Sequence, residues 1–148
     1  MRPDLVVLAT HSALKWPAYL FFYGYVLTLI AAGAFGMLLA RLDVRYLLGL
    51  DLNQLSPLTA ATTMSQYRFL RAIEVGFGAF AFTFRNEIFG DRIFNRLFLS
   101  VMACGVASRV LGLIFDGSPS VPMLFFLSFE LVGIVLIFAY TRTTVRPG

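Results

Sequence analysis

Two carboxylates and three guanidiniums stand inside segments that are otherwise almost wholly apolar: Arg68, Arg71 and Glu74 in "RFLRAIEVGFGAFAF", Arg109 in "ASRVLGLIF" and Glu130 in "FFLSFELVGI". Side chains of these types support two kinds of chemistry. Glu74 or Glu130 can act as a general acid or base, with an arginine stabilising developing negative charge. Alternatively, the five form a polar site that holds the head of an amphipathic molecule. Spacing favours pairing in either case. Arg71 and Glu74 are i, i+3 neighbours on one helix face. The fork of Arg109 suits a bidentate contact with Glu130 across two antiparallel helices joined by a short turn. The surplus guanidinium, Arg68, is then free to snorkel outward or to hold an anion.

The elements that must position these residues follow from composition. The 148-residue chain is 59% hydrophobic and 14% charged, with sixteen Phe, whereas soluble domains run at about 45–50% apolar and about 25% charged. This excludes an ordinary soluble domain and predicts an all-α membrane protein. A crossing takes about 20 apolar residues, so the chain is expected to be one membrane domain, 1–148, a bundle of four transmembrane helices at about 17–40, 64–84, 93–115 and 121–140. Residues 1–16, with Arg2, Asp4, His11 and Lys15, are expected to lie at the interface before Trp16 and Pro17. "AGA" at 32–34 resembles a signal-peptide cleavage site, but the apolar run exceeds the usual h-region, which favours a retained anchor. "VRYLLGL" reads as a short interfacial helix in the 41–63 connection, where Asp51, Asn53, Ser56 and Pro57 act as breakers. "RNEIFGDR" and "DGSPSVP" read as turns.

Four spans put both termini and the 85–92 turn on one side, with Arg2, Lys15, Arg85, Arg92, Arg96, Arg142 and Arg146; the other side has Arg41 and Arg45. The bias of Lys and Arg towards cytoplasmic loops therefore predicts cytoplasmic termini in a bacterial inner membrane. At about 1.5 Å per residue, Arg68, Arg71 and Glu74 lie about 6, 10 and 15 Å from the outer end of the second span. Arg109 and Glu130 lie about 9 and 13 Å below the outer ends of theirs. All five thus fall in the outer half of the bilayer, where exposure to lipid costs at least about 2.5–3.5 kcal/mol per charge near a helix centre. They are expected to face inward as one polar cluster. The plainer reading is that the pairs only fix helix register.

Gly24, Thr28, Ala32 and Gly36 recur every fourth residue in the first span, and Gly105, Ser108 and Gly112 line a face of the third, a pattern that permits close helix approach. Phe77, Phe80 and Phe82, beside Gly76 and Gly78, are either ordinary packing or a flat-walled slot for a ring. Cys104 is alone, so no disulfide forms within the chain, and it is expected in the core. No metal-ligand cluster, nucleotide-binding loop or Ser/His/Asp set is present, and neither metal nor cofactor is expected. One histidine, His11, excludes a bis-His haem. Net charge is +4 but the basic residues are scattered, which argues against nucleic acid.

The stretch "QYRFLRAIEVGFGAF" followed by "ASRVLGLIFDGSPSVPMLFFLSFELVGIVLIF" resembles an uncharacterised bacterial family of four-helix membrane proteins, a domain of unknown function numbered 4345. The likeness covers nearly the whole chain. The recurring features match Arg68 and Phe69 at the head of the second helix, Arg109 near the end of the third, Gly117 to Pro119 in the turn, and Glu130 in the fourth. Arg71 and Glu74 are less typical of it. The resemblance implies a fold and a site, and no reaction.

These readings predict a binding or accessory subunit in the bilayer. Its partner would be a lipid, quinone or pigment, a larger membrane complex, or a second copy. The alternative is a small isomerase- or hydrolase-like enzyme acting on an amphipathic lipid or isoprenoid. Glu130 held by Arg109 would be inert there, whereas an unpaired Glu74 would be free to move protons.

Overall fold

The computed structural model describes residues 3–145, of which 3–12 and 143 contribute backbone alone. Arg2 and Arg146 lie outside the described residues, as do the side chains of Asp4 and His11. Among the described residues every regular element is helical. Four helices are long: α1 (Pro3–Leu38), α3 (Pro57–Thr83), α5 (Arg92–Phe115) and α6 (Val121–Thr144). Two are short, α2 (Ala40–Asp43) and α4 (Arg85–Gly90).

Several boundaries differ from the sequence expectation. Instead of breaking before Pro17, α1 is continuous for 36 residues. Proline deletes one backbone hydrogen bond, and in apolar surroundings the remaining polar groups are best satisfied by continuing the helix. Helix α3 starts at Pro57 rather than near Met64, because Ser56 caps it: its hydroxyl accepts from the Thr59 amide at 3.2 Å, with proline in the first turn. The "RNEIFG" stretch is helix α4 rather than a turn. Asp91 ends it and caps α5, its carboxylate accepting from the amides of Ile93 at 2.8 Å and Phe94 at 3.1 Å. The connection after α1 is helical over "VRYLL", where α2 widens into a π-helical turn, Val44–Leu48, closed by Gly49 at φ +67. A 3₁₀ turn, Leu52–Gln54, precedes α3.

Helices α1 and α3 make the closest approach. A Cβ on Gly33 would sit 2.8 Å from Val75 Cγ2 and 2.9 Å from the Arg71 carbonyl oxygen; one on Gly78 would sit 2.7 Å from Ile30 Cγ1. The seam thus runs through Gly33, outside the predicted row. Of that row, Gly36 lies against the side chains of Arg71 and Asp43, while Gly24 meets Phe129 of α6 at an ordinary 3.6 Å. Gly105 and Gly112 of α5 do not bring another helix close: the nearest atoms to their Cβ positions are carboxylate oxygens of Glu130 and Asp116, at 4.0 and 3.8 Å. Ser108 is exposed.

The main core lies towards the start of α5 and the end of α6, where Phe22, Phe98, Ile88, Met102 and Ile137 are fully buried. Aromatic packing fills it, with Tyr19 stacked on Phe89 at 4.2 Å and Phe77 on Phe98 at 5.7 Å. Phe77 is therefore a packing residue, and Phe82 is exposed beside Arg85. Cys104 is exposed rather than in the core. The inward face of α5 carries Asn95, Phe98 and Met102, and Cys104 lies about 200° round the helix from Met102.

Large apolar side chains also cover the outside, among them Leu20 (72% exposed), Ile114 (67%) and Phe125 (64%). Residues 13–38, 92–115 and 121–142 form helices long and apolar enough to cross a membrane. Helix α3 is as long, but every 18-residue stretch of it contains Arg68, Arg71 and Glu74. The apolar helices suit a small membrane-embedded protein.

Candidate functional site

Opposite the aromatic core the bundle opens into a cavity of about 180 Å³. Its walls come from Tyr25, Thr28, Leu29 and Ala32 of α1, Tyr67, Leu70, Arg71 and Glu74 of α3, Arg109 of α5, and Met123, Phe126, Phe129 and Glu130 of α6. Leu47 and Leu48 of the π-helical turn cover it. That cover is tied at both edges. The Ser120 hydroxyl, just before α6, donates to the Leu47 carbonyl at 2.8 Å, and Ala40 and Val44 pack on Met64 and Tyr67 in a second small core.

On one wall the centre is Arg71, whose side chain is only 8% exposed. Its Nη1 meets Glu74 Oε2 at 2.6 Å and its Nη2 meets Asp43 Oδ2 at 2.7 Å. The Tyr67 hydroxyl closes the network. It donates to Asp43 Oδ2 at 2.6 Å and accepts from Arg71 Nε at 3.0 Å and Nη2 at 2.7 Å. The guanidinium also lies over the Tyr67 ring, 5.0 Å from its centroid. One fork therefore joins α3 to the segment after α1, a geometry that a lysine cannot reproduce.

On the facing wall Arg109 grips Glu130 with two nitrogens, Nε to Oε2 at 3.0 Å and Nη2 to Oε1 at 3.4 Å. Its third nitrogen, Nη1, donates to Met123 Sδ at 3.3 Å. Glu130 is 9% exposed and Arg109 31%, and Arg109 also borders a second pocket of about 270 Å³ at the 116–119 turn. Gly117 makes that turn with φ +92, which suits a residue without a Cβ.

Of the five residues singled out in the sequence, Arg71, Glu74, Arg109 and Glu130 line this one cavity. Arg68 does not line it and is exposed. Asp43 enters the network in its place, so the cluster holds three carboxylates and two guanidiniums, one formal negative charge rather than a surplus cation. Glu74 is not unpaired either, since Arg71 holds one of its oxygens. Its other oxygen, Oε1, takes part in no hydrogen bond among the described residues, and the residue is 23% exposed. Glu74 Oε1 is thus the carboxylate oxygen left without a partner among the described residues, whereas both oxygens of Glu130 are occupied. Among the described residues no group of three or more His, Cys, Asp and Glu side chains is arranged to hold a metal ion.

Asp43 and Tyr67 were missed by the sequence reading. Tyr67 was within reach, because it precedes Arg71 by four residues on the same helix face. Asp43 lies between Arg41 and Arg45 in what reads as a solvated connection. Only the fold brings it to Arg71.

No curated protein and no solved structure matches this chain. A family does, and its profile spans residues 18–141, from the buried Ala18 of α1 through every charged residue of the cavity to the last turn of α6. The chain belongs to the family described as Domain of unknown function (DUF4345).

Proposed function

We propose that this is a multi-pass membrane protein of the bacterial inner membrane. In this reading α1, α3, α5 and α6 all span, both termini are cytoplasmic, and the cavity holds the polar head of a lipid-like molecule for a binding or accessory subunit. One observation carries the proposal: a buried, oppositely charged network borders an open space, and Glu74, which lines that space, keeps one carboxylate oxygen without a partner among the described residues. Helix-register devices need only pair with each other, whereas this one adjoins unfilled volume. At about 180 Å³, the cavity is below the roughly 300–1,000 Å³ typical of drug-sized ligands. It therefore suits a head group, with the remainder of the molecule lying along the apolar exterior. The net negative cluster and the free acceptor favour a head that donates hydrogen bonds, an amine or hydroxyl, over an anion.

The same free oxygen supports the second reading, a small acid/base enzyme working through Glu74. Glu130 fits that role poorly, because Arg109 occupies both its oxygens. Native mass spectrometry of gently extracted protein separates the readings. A bound lipid, quinone or pigment is expected, weakened in Glu74→Gln and lost in Ala32→Phe, which fills the cavity without touching a charge. Recovery with a protein partner and no small molecule would favour an accessory role alone. Glu74-dependent turnover of a lipid by ligand-free protein would favour the enzyme.

A further inference from the structure

A larger concavity lies at the other end of the bundle. Between the start of α5 and the end of α6 runs a groove of about 680 Å³. Arg92, Arg96 and Arg142 stand at its mouth, and Leu99, Ile134 and Phe138 form its apolar wall. Its floor is fixed: Asn95 donates from Nδ2 to the Ile88 carbonyl at 2.9 Å and accepts from the Thr141 hydroxyl at 3.3 Å. This ties α4, α5 and α6 together behind the groove.

The three guanidiniums are exposed, and among the described residues none forms an ion pair. The adjacent carboxylate, Asp91, is occupied as the cap of α5, and Glu87 is exposed on α4. A bias in loop charge requires only that arginines lie near one end of the spans. It does not require them to converge on a cavity that the same two helices line with apolar side chains further along. Ile134 stands eight residues from Arg142, about 12 Å along the helix, so the groove passes from charge to hydrocarbon over the depth separating a lipid phosphate from its acyl chains.

From this geometry we infer that the groove is a binding site for an anionic phospholipid. The phosphodiester is held by the forks of Arg96 and Arg142 with Arg92 beside them, and one acyl chain lies against Leu99, Ile134 and Phe138. Guanidinium matches phosphate oxygens bidentately, and basic pockets between membrane helices recognise anionic head groups. The site is separate from the cavity around Arg71 and shares with the proposed function only the membrane setting.

The test is native mass spectrometry of the full chain in neutral detergent, titrated with dioleoyl phosphatidylglycerol, dioleoyl phosphatidylcholine and, as competitor, inorganic phosphate. Phosphatidylglycerol should be retained at least about tenfold more strongly than phosphatidylcholine, as expected for the loss or gain of two or three surface cations. The double variant Arg96→Gln/Arg142→Gln should abolish the preference. Ala103→Phe, which fills the groove from an exposed position and leaves the charges intact, should lower retention of phosphatidylglycerol. Ala32→Phe, in the other cavity, should leave it unchanged. Equal binding of the two lipids, a preference surviving in both groove variants, or displacement by inorganic phosphate at equal concentration would overturn the inference. All the substituted groove residues are exposed, and unchanged helical circular dichroism would confirm that each variant folds.

Discussion

Arg71 shows how a single residue can organise a membrane interior. Its guanidinium holds Asp43 and Glu74 at once and receives support from Tyr67. Removing it leaves two carboxylates facing one another in an apolar bundle. Breaking a buried pair by deleting one partner costs about 3–5 kcal/mol, so Arg71→Met should lower the free energy of unfolding in detergent by an amount of that order. Arg71→Lys should recover only part of the loss, because an ammonium does not present two parallel donors. A free energy of unfolding for Arg71→Met within about 1 kcal/mol of the parent would show that Asp43 and Glu74 find other partners. At this scale the sequence exposes Arg71 with Glu74, and Arg109 with Glu130, through residue type and spacing. Asp43 it cannot expose, because nothing local distinguishes a carboxylate that folds back 28 positions from one that stays in water.

At the scale of elements, the α1–α3 seam decides where the cavity wall stands. Gly33 admits the backbone of α3, with its Cβ position 2.9 Å from the Arg71 carbonyl. Gly33→Val would push α3 outward and carry Arg71 away from Asp43. Overpacking of this kind costs about 1–3 kcal/mol, and the same substitution at Gly24, which has ordinary contacts, should cost less. Thermal unfolding of both variants checks the order, and a larger loss at Gly24 would contradict the seam described above. Local capping chemistry sits at two helix starts, Ser56 and Pro57 for α3 and Asp91 for α5, but the α3 start was read about seven residues late, near Met64. The sequence reading took Ser56 and Pro57 as breakers and placed Asp91 in a turn, and a residue that breaks one element often begins the next. Continuity of α1 through Pro17 was not legible, since local geometry argues for an interruption and the apolar environment overrides it.

For the whole molecule, the proposal of four spans turns on α3. Its three charges would be costly against lipid, but in the folded chain Arg71 is buried and Glu74 faces the cavity, leaving Arg68 exposed. Reporter fusions after Gly148 and within residues 50–57 should report opposite sides of the membrane, with the C-terminus in the cytoplasm. A periplasmic C-terminus would overturn the topology, and fusions reporting the same side would remove α3 from the spans.

The sequence by itself determined the apolar all-α character, the approximate positions of the long helices and the presence of ionisable residues within them. Each of these follows from composition, run length and the period of the α-helix, which are local quantities. Only the tertiary structure decided which charges meet. Helix rotation and the path of residues 40–56 turned Arg68 and Cys104 outward, brought Asp43 to Arg71, and reversed the sign of the cluster from a surplus cation to a surplus carboxylate. Rotation is set by packing at Gly33 and Gly78, where one methyl group would change the fit, and such complementarity between distant segments is invisible in either segment alone.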